Sequence, residues 1–161
     1  MNNCIFCKIV KGEIEAKKIY ENDASIGILD VNPLTQGHCL IISKRHVQWF
    51  YELENDEFEK VFRVVKIVAK KIKDVLNPEV VCMIVRGLRI PHVHIILIPS
   101  FKEDIVGRFF ALLDAVQSFP PSTKEDIENK LLKLKDAIQN FSQENLKKEM
   151  DKIAVLLRID D

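Results

Sequence analysis

Neither sign of charge is in excess in this sequence. Twenty-four lysines and arginines stand against 24 aspartates and glutamates, for a formal net charge of zero. A general nucleic-acid-binding surface needs a cationic excess, so nothing here suggests one. No uninterrupted apolar run is long enough to span a membrane. The N-terminus also lacks the basic segment and following long apolar run of a signal peptide. These absences predict a soluble, cytoplasmic protein. Cysteine is sparse, with four in 161 residues: Cys4 and Cys7 form a C-x-x-C pair, and Cys39 and Cys82 sit alone among apolar residues. That distribution does not fit a secreted disulfide framework. Cys39 and Cys82 read instead as small core side chains. There is no internal repeat and no low-complexity segment. The length suffices for one well-packed domain with an added helical element.

What is present reads as strands, then a helix, then strands. Ile19–Tyr20 and Ala24–Leu29 form two short strands around the polar Glu21-Asn22-Asp23 turn. Asn32-Pro33 marks a loop, and after Gly37 the run HCLIIS is a buried strand. Asn55 is the expected helix N-cap, with Asp56 and Glu57 in the first turn. Phe58, Val61, Phe62, Val65, Val68, Ile72 and Val75 then recur at helical spacing up to Asn77-Pro78. VVCMIV and PHVHIILI are two β-rich runs joined at Arg86-Gly87. This order predicts an α+β fold with a mainly antiparallel sheet. Beyond Pro99 the pattern turns helical, from Ile105 to Val116. After a break at Phe119-Pro120-Pro121, Ser122 or Thr123 is the next cap. Ile127, Leu131, Leu134 and Ile138 form one apolar stripe, and Leu146, Met150, Ile153 and Leu157 another. The expected division is a core at 1–103 and a C-terminal helical extension at 104–161, packed on the same domain.

Alternation along a strand puts His92, His94 and Ile96 on one face and Val93, Ile95 and Leu97 on the other, toward the core. Two imidazoles on one face demand two sets of partners if buried. The other two histidines, His38 and His46, flank the run HCLIISKRH, so all four are expected to gather if the two strands are close. Cys4 and Cys7 can chelate a soft metal ion, and two imidazoles would complete a Cys₂His₂ set. A redox reading needs a strand-to-helix junction of thioredoxin type, which is not visible. A chance pairing of cysteines is the remaining alternative.

Three motifs in this order, CIFCKIVKGEI, ILDVNPLTQGHCLIISKRHV and PHVHIILIP, resemble the histidine triad (HIT) superfamily of nucleotide-binding hydrolases and transferases. The combination is more specific than an H-x-H alone. The resemblance implies a five-stranded antiparallel sheet crossed by a long helix, usually in a homodimer, with a nucleoside phosphate of AMP or GMP type as ligand. It implies that His94 attacks the α-phosphorus to give a nucleotidyl-histidine, with His38 as a second catalytic histidine. Asp30 would hold the ribose hydroxyls, and Leu29 and Val31 would line the base pocket or simply fill core. In branches carrying the C-x-x-C pair, the resemblance implies a structural zinc on Cys4, Cys7, His46 and His92.

The sequence departs from that pattern on the phosphate side. Ile96 occupies the third triad position, where a polar group is expected. An aliphatic chain cannot protonate a leaving group, help worth about a hundredfold or more. Leu88 falls where the family commonly has Gln, and the loop is shortened. Arg86 and Arg89 would either meet phosphate or stand solvated, and Ser100 replaces a frequently basic residue. The expectation is therefore a slow enzyme acting on phosphoramidate or phosphoanhydride bonds. A catalytically inactive nucleotide-binding module, or an interaction protein on the same scaffold, is the alternative.

Overall fold

The computed structural model describes residues 4–120 and 122–159. Five strands form one antiparallel sheet: β1 (Lys18–Glu21), β2 (Ser25–Leu29), β3 (Cys39–Ser43), β4 (Val80–Arg86) and β5 (His94–Ser100). Their spatial order is β1-β2-β3-β5-β4. The β1–β2 turn closes on Asn22, whose Oδ1 accepts from the N–H groups of Ala24 (3.0 Å) and Ser25 (2.7 Å). This is the local side-chain bond that makes Asn a turn former. β2 and β3 lie in the middle of the sheet and are buried along their whole length.

Pleating divides the side chains between two faces. Ile41, Val93, Ile95 and Leu97 lie on one face with the long helix α2 (Asn55–Leu76). That helix buries Val61, Val64, Val65, Val68 and Ile72. Its apolar stripe is rotated slightly from the sequence expectation: Val64 enters the core, while Phe58 and Val75 remain more than a third exposed. Its cap is Glu54, one residue before the expected Asn55, with the Glu54 N–H donated to Glu57 Oε2 at 3.2 Å. At the far end Asn77 adopts the left-handed conformation, φ 48°, a stop that Asn tolerates and Pro78 enforces.

The second face carries Ile26, Ile28, Leu40 and Ile42, with Ile96 packed against them, and is partly covered by the one-and-a-half-turn helix α1 (Ile5–Val10) through Phe6. Four further helices follow among the described residues: α3 (Ile105–Gln117), α4 (Lys124–Gln139), α5 (Gln143–Lys148) and α6 (Met150–Leu157). Thr123, not Ser122, caps α4 by accepting from the Asp126 N–H at 3.1 Å. The two expected stripes part company here. α4 buries no residue and packs along α3. Met150, Ile153 and Leu157 of α6 join the core beneath α2. The Ile159 N–H then donates to Ile19 O at 2.8 Å, alongside β1. Among the described residues, no helix is long and apolar enough to cross a membrane.

Candidate functional site

The ligating atoms of Cys4, Cys7, His46 and His92 all lie within 4.8 Å of one another. Cys4 is the N-cap of α1 and Cys7 lies one turn on, so a single short turn presents both thiols. His46 follows β3, and His92 stands two residues before the start of β5. These two segments are joined where the Val93 N–H donates to Val47 O at 2.7 Å. Cys4 Sγ is 3.3 Å and Cys7 Sγ 3.6 Å from His92 Nδ1; Cys7 Sγ is 3.2 Å from His46 Nδ1, and the two Nδ1 atoms are 3.2 Å apart. A tetrahedral zinc ion with its usual bond lengths sets edges of about 3.3 Å between nitrogens and about 3.6 Å between nitrogen and sulfur. The four residues fit such an ion.

The surroundings fix the ligand tautomer. His92 is fully buried, and its Nε2–H donates to Ser43 O at 2.8 Å, with Ser43 Oγ at 3.2 Å. That leaves Nδ1 as a bare lone pair toward the cluster, the outer-shell arrangement that orients a metal-binding imidazole. Burial is also the main reason His92 is harder to protonate than an ordinary histidine, which favours the neutral form a cation needs. With no cation present, burial first and Cys4 second hold the Cys7 thiol above its ordinary value; a bound cation reverses that balance.

His94 follows on the same face, opposite Ile42 of β3 and Arg86 of β4. Its Nδ1–H donates to His92 O at 2.8 Å, so the proton sits on Nδ1 and the Nε2 lone pair is available. The Phe6 ring packs against both imidazoles, with centroids 5.0 Å from His94 and 5.8 Å from His92. The group that contacts the nucleophile candidate is thus carried between the two thiols.

The expectation that all four histidines gather is corrected. His46, His92 and His94 are neighbours, but His38 lies beyond the Leu40–Ile96 pair. A step of four residues from His38, to Ile42, reaches the position opposite His94, roughly 13 Å of strand. Its companion is Asp30: Oδ2 stands 3.7 Å from His38 Nε2. The Leu34 N–H donates to His38 Nδ1 at 3.2 Å, so Nε2 carries the proton. Among the described residues, this Nε2 is the single buried side-chain nitrogen or oxygen without a hydrogen-bond partner. Burial pushes the His38 pKa down, and Asp30 opposes that shift. Just before His38, Gly37 has φ +82°, and a Cβ there would come within 2.5 Å of Leu76 Cδ1. No other residue meets both demands.

Of the two alternatives for Leu29, base pocket or core, its packing matches the core one. It is buried beneath α2, on the face opposite Asp30, whereas Val31 is 60% exposed. Ile28, two residues before Asp30 and so on the same face by alternation, lies in the second-face cluster with Phe6. The contact of Phe6 with both imidazoles was not foreseen from the sequence, where its place between the cysteines was the available signal. Ile96 packs with Leu40 and Ile42, Leu88 is 70% exposed and Ser100 is buried. Arg89 is exposed, and the Arg86 side chain lies outside the described residues.

A five-stranded antiparallel sheet with a buried His-x-His strand and a Cys₂His₂ cluster beside it defines the class. The HIT domain profile matches residues 11–103. An uncharacterised HIT-like protein of Methanocaldococcus jannaschii is 37% identical over 108 residues, 63% of this chain and 81% of that one. An adenosine 5'-monophosphoramidase of Schizosaccharomyces pombe is 36% identical over 107 residues, 63% of this chain and 77% of that one. The crystal structure of a HIT family protein from Bacillus anthracis matches with a TM-score of 0.63 at 32% identity, covering 84% of this chain and 97% of that one. The chain belongs to the HIT domain family.

Proposed function

We propose that the protein binds a purine nucleoside monophosphate unit and breaks a bond at its α-phosphorus, with His94 Nε2 as nucleophile. The observation that carries this reading is the His94 Nδ1–H bond to His92 O. It holds the neutral tautomer with a free Nε2, and it stabilises the positive charge the ring acquires on attack. Asp30 and the unpartnered His38 Nε2–H supply an acceptor and a donor for the sugar hydroxyls. Ile28, Phe6 and Val31 form the apolar side available to the base.

On a nucleoside phosphoramidate, Nε2 forms a bond to phosphorus as the P–N bond breaks. The amine leaves with that electron pair and takes a proton from water. A second water then attacks phosphorus, the Nε2–P bond breaks, and the water's proton passes to solvent. Ile96 offers no proton to the leaving group, so the first step is slow for amines of high basicity. Cys4, Cys7, His46 and His92 would hold zinc, which supplies a fixed cross-link between α1 and the catalytic strand. A closed four-ligand set leaves no position for an activated water.

Residues 104–161 belong to the same domain in this reading, since Met150, Ile153 and Leu157 complete its core. A second copy joins along the outer strand β4, where Val80, Met83 and Ile84 stand exposed. The decisive experiment is turnover of adenosine phosphoramidate by wild type and by His94→Ala, with AMP affinity measured on both. Turnover lost in the variant while AMP still binds supports the reading. A second reading, a non-catalytic nucleotide-binding module, is favoured by Ile96 in the third triad position. Wild type that binds AMP without turnover selects it.

A further inference from the structure

Asp30 and His38 are joined by residues 31–37, a loop that the C-terminal extension grips. The loop closes on itself by backbone bonds, from Asp30 N–H to His38 O at 2.9 Å and from His38 N–H to Thr35 O at 3.3 Å. The Thr35 hydroxyl turns elsewhere. Thr35 is 3% exposed, and its Oγ1 donates to Asp104 Oδ2 at 2.7 Å. Asp104 is itself fixed: Oδ1 accepts from the Gly107 N–H at 2.7 Å to cap α3, and Oδ2 also lies 3.4 Å from the Phe101 N–H. A cavity of about 810 Å³ opens beside this contact, with Leu34, Thr35, Asp104 and Arg108 in its wall. The loop is therefore not backed by continuous packing on that side, and the hydroxyl–carboxylate bond bridges the gap. A second tie, from Lys147 Nζ to Asn32 Oδ1 at 3.0 Å, is exposed and contributes less.

The position of the loop decides which ring nitrogen of His38 holds its proton, because Leu34, the residue before Thr35, donates to Nδ1. We infer that Thr35, anchored on Asp104, is a positioning residue for the nucleotide site. Its bond to the start of α3 keeps the Leu34 N–H on His38 Nδ1, and so keeps Nε2–H facing Asp30. This rests on the function proposed above only for its consequence, nucleotide affinity. Losing the tie frees the loop, and the Nε2–H donor is no longer held for a sugar hydroxyl. The effect falls on binding and spares the chemical step, because His94 lies beyond the Leu40–Ile96 pair.

The test compares Thr35→Val, which keeps the branched shape and removes the hydroxyl, with Thr35→Ser, which keeps the hydroxyl. Three measurements are made at pH 7.5 on the zinc-loaded protein: the ring nitrogen spectrum of His38, the calorimetric Kd for AMP, and KM and kcat for adenosine phosphoramidate. Thr35→Val is expected to shift part of the His38 population to the Nδ1–H form. Kd and KM should rise about three- to tenfold, the range one neutral hydrogen bond spans, with kcat kept within about twofold. Thr35→Ser should restore all three. A Thr35→Val protein with the wild-type ring spectrum overturns the inference, as does one whose kcat falls while KM stays. If wild type binds no AMP, the proposed function fails, while the ring spectrum still decides the role of Thr35. Should Thr35→Val unfold, Thr35→Ala with the same ring spectrum serves in its place.

Discussion

His38 carries a pH dependence that no surface histidine would. Burial pushes its pKa below the ordinary 6.5, and the nearby Asp30 carboxylate only partly opposes this. As pH falls below about 6.5, the unfolded chain takes up a proton that the folded protein resists. The stability tied to a neutral His38 is therefore complete above that pH and is lost as pH falls toward the folded value. His92 is shifted the same way, so raw melting curves mix the two. The gap in melting temperature between wild type and His38→Asn isolates one, and it should narrow between pH 7.5 and pH 5. Ile96 gives a second prediction at this scale. Ile96→His restores a proton donor beside Leu40 and should raise kcat on the phosphoramidate by about tenfold to a hundredfold, with AMP affinity little changed. The sequence showed which residue types bear the chemistry, because thiols, imidazoles and carboxylates at these spacings are informative. It did not show that His38 sides with Asp30 and not with His94. That follows from strand register, which pairs Leu40 with Ile96 and is set by contacts remote in sequence.

Among the elements, α1 depends most on the cluster it helps to form. Six residues are too few to be helical alone, yet this turn supplies two of the four ligand groups and the Phe6 ring against His94. Chelation, or Cys4→Ser, should lower the melting temperature and speed amide exchange in residues 5–14, while amides of β3 and β5 keep their protection. Equal loss everywhere would show that the cluster holds up the whole fold instead. At the other end, Leu157→Ala removes a fully buried side chain from the core under α2 and should cost about 2–5 kcal/mol in denaturant unfolding. Both apolar stripes of the extension were legible in the sequence, but their different fates were not. Helical spacing shows which side of a helix is apolar without naming what covers it. α4 packs chiefly along α3, whereas α6 lands on α2 and β1. The cap of α2 was missed by one residue, because Glu54 and Asn55 are both capable of opening a helix and the backbone chose the first.

For the molecule as a whole, the exposed apolar edge of β4 makes association measurable. Light scattering should give twice the chain mass at micromolar concentration, and Met83→Lys with Ile84→Lys should return it to a single chain. Fold class was open to sequence reasoning because alternation, caps and turn residues all agree on it. Partnership is harder to read, since Val80, Met83 and Ile84 have the composition of any strand and only the completed sheet leaves them outside. The opposite border of that sheet is different: there the backbone of Ile159 is hydrogen-bonded to Ile19. With one carbonyl of that margin already engaged by its own chain, a newcomer strand finds β4 the more open side. Two copies meeting side to side along β4 would use up the open side of each, so the expected end of strand addition is a pair.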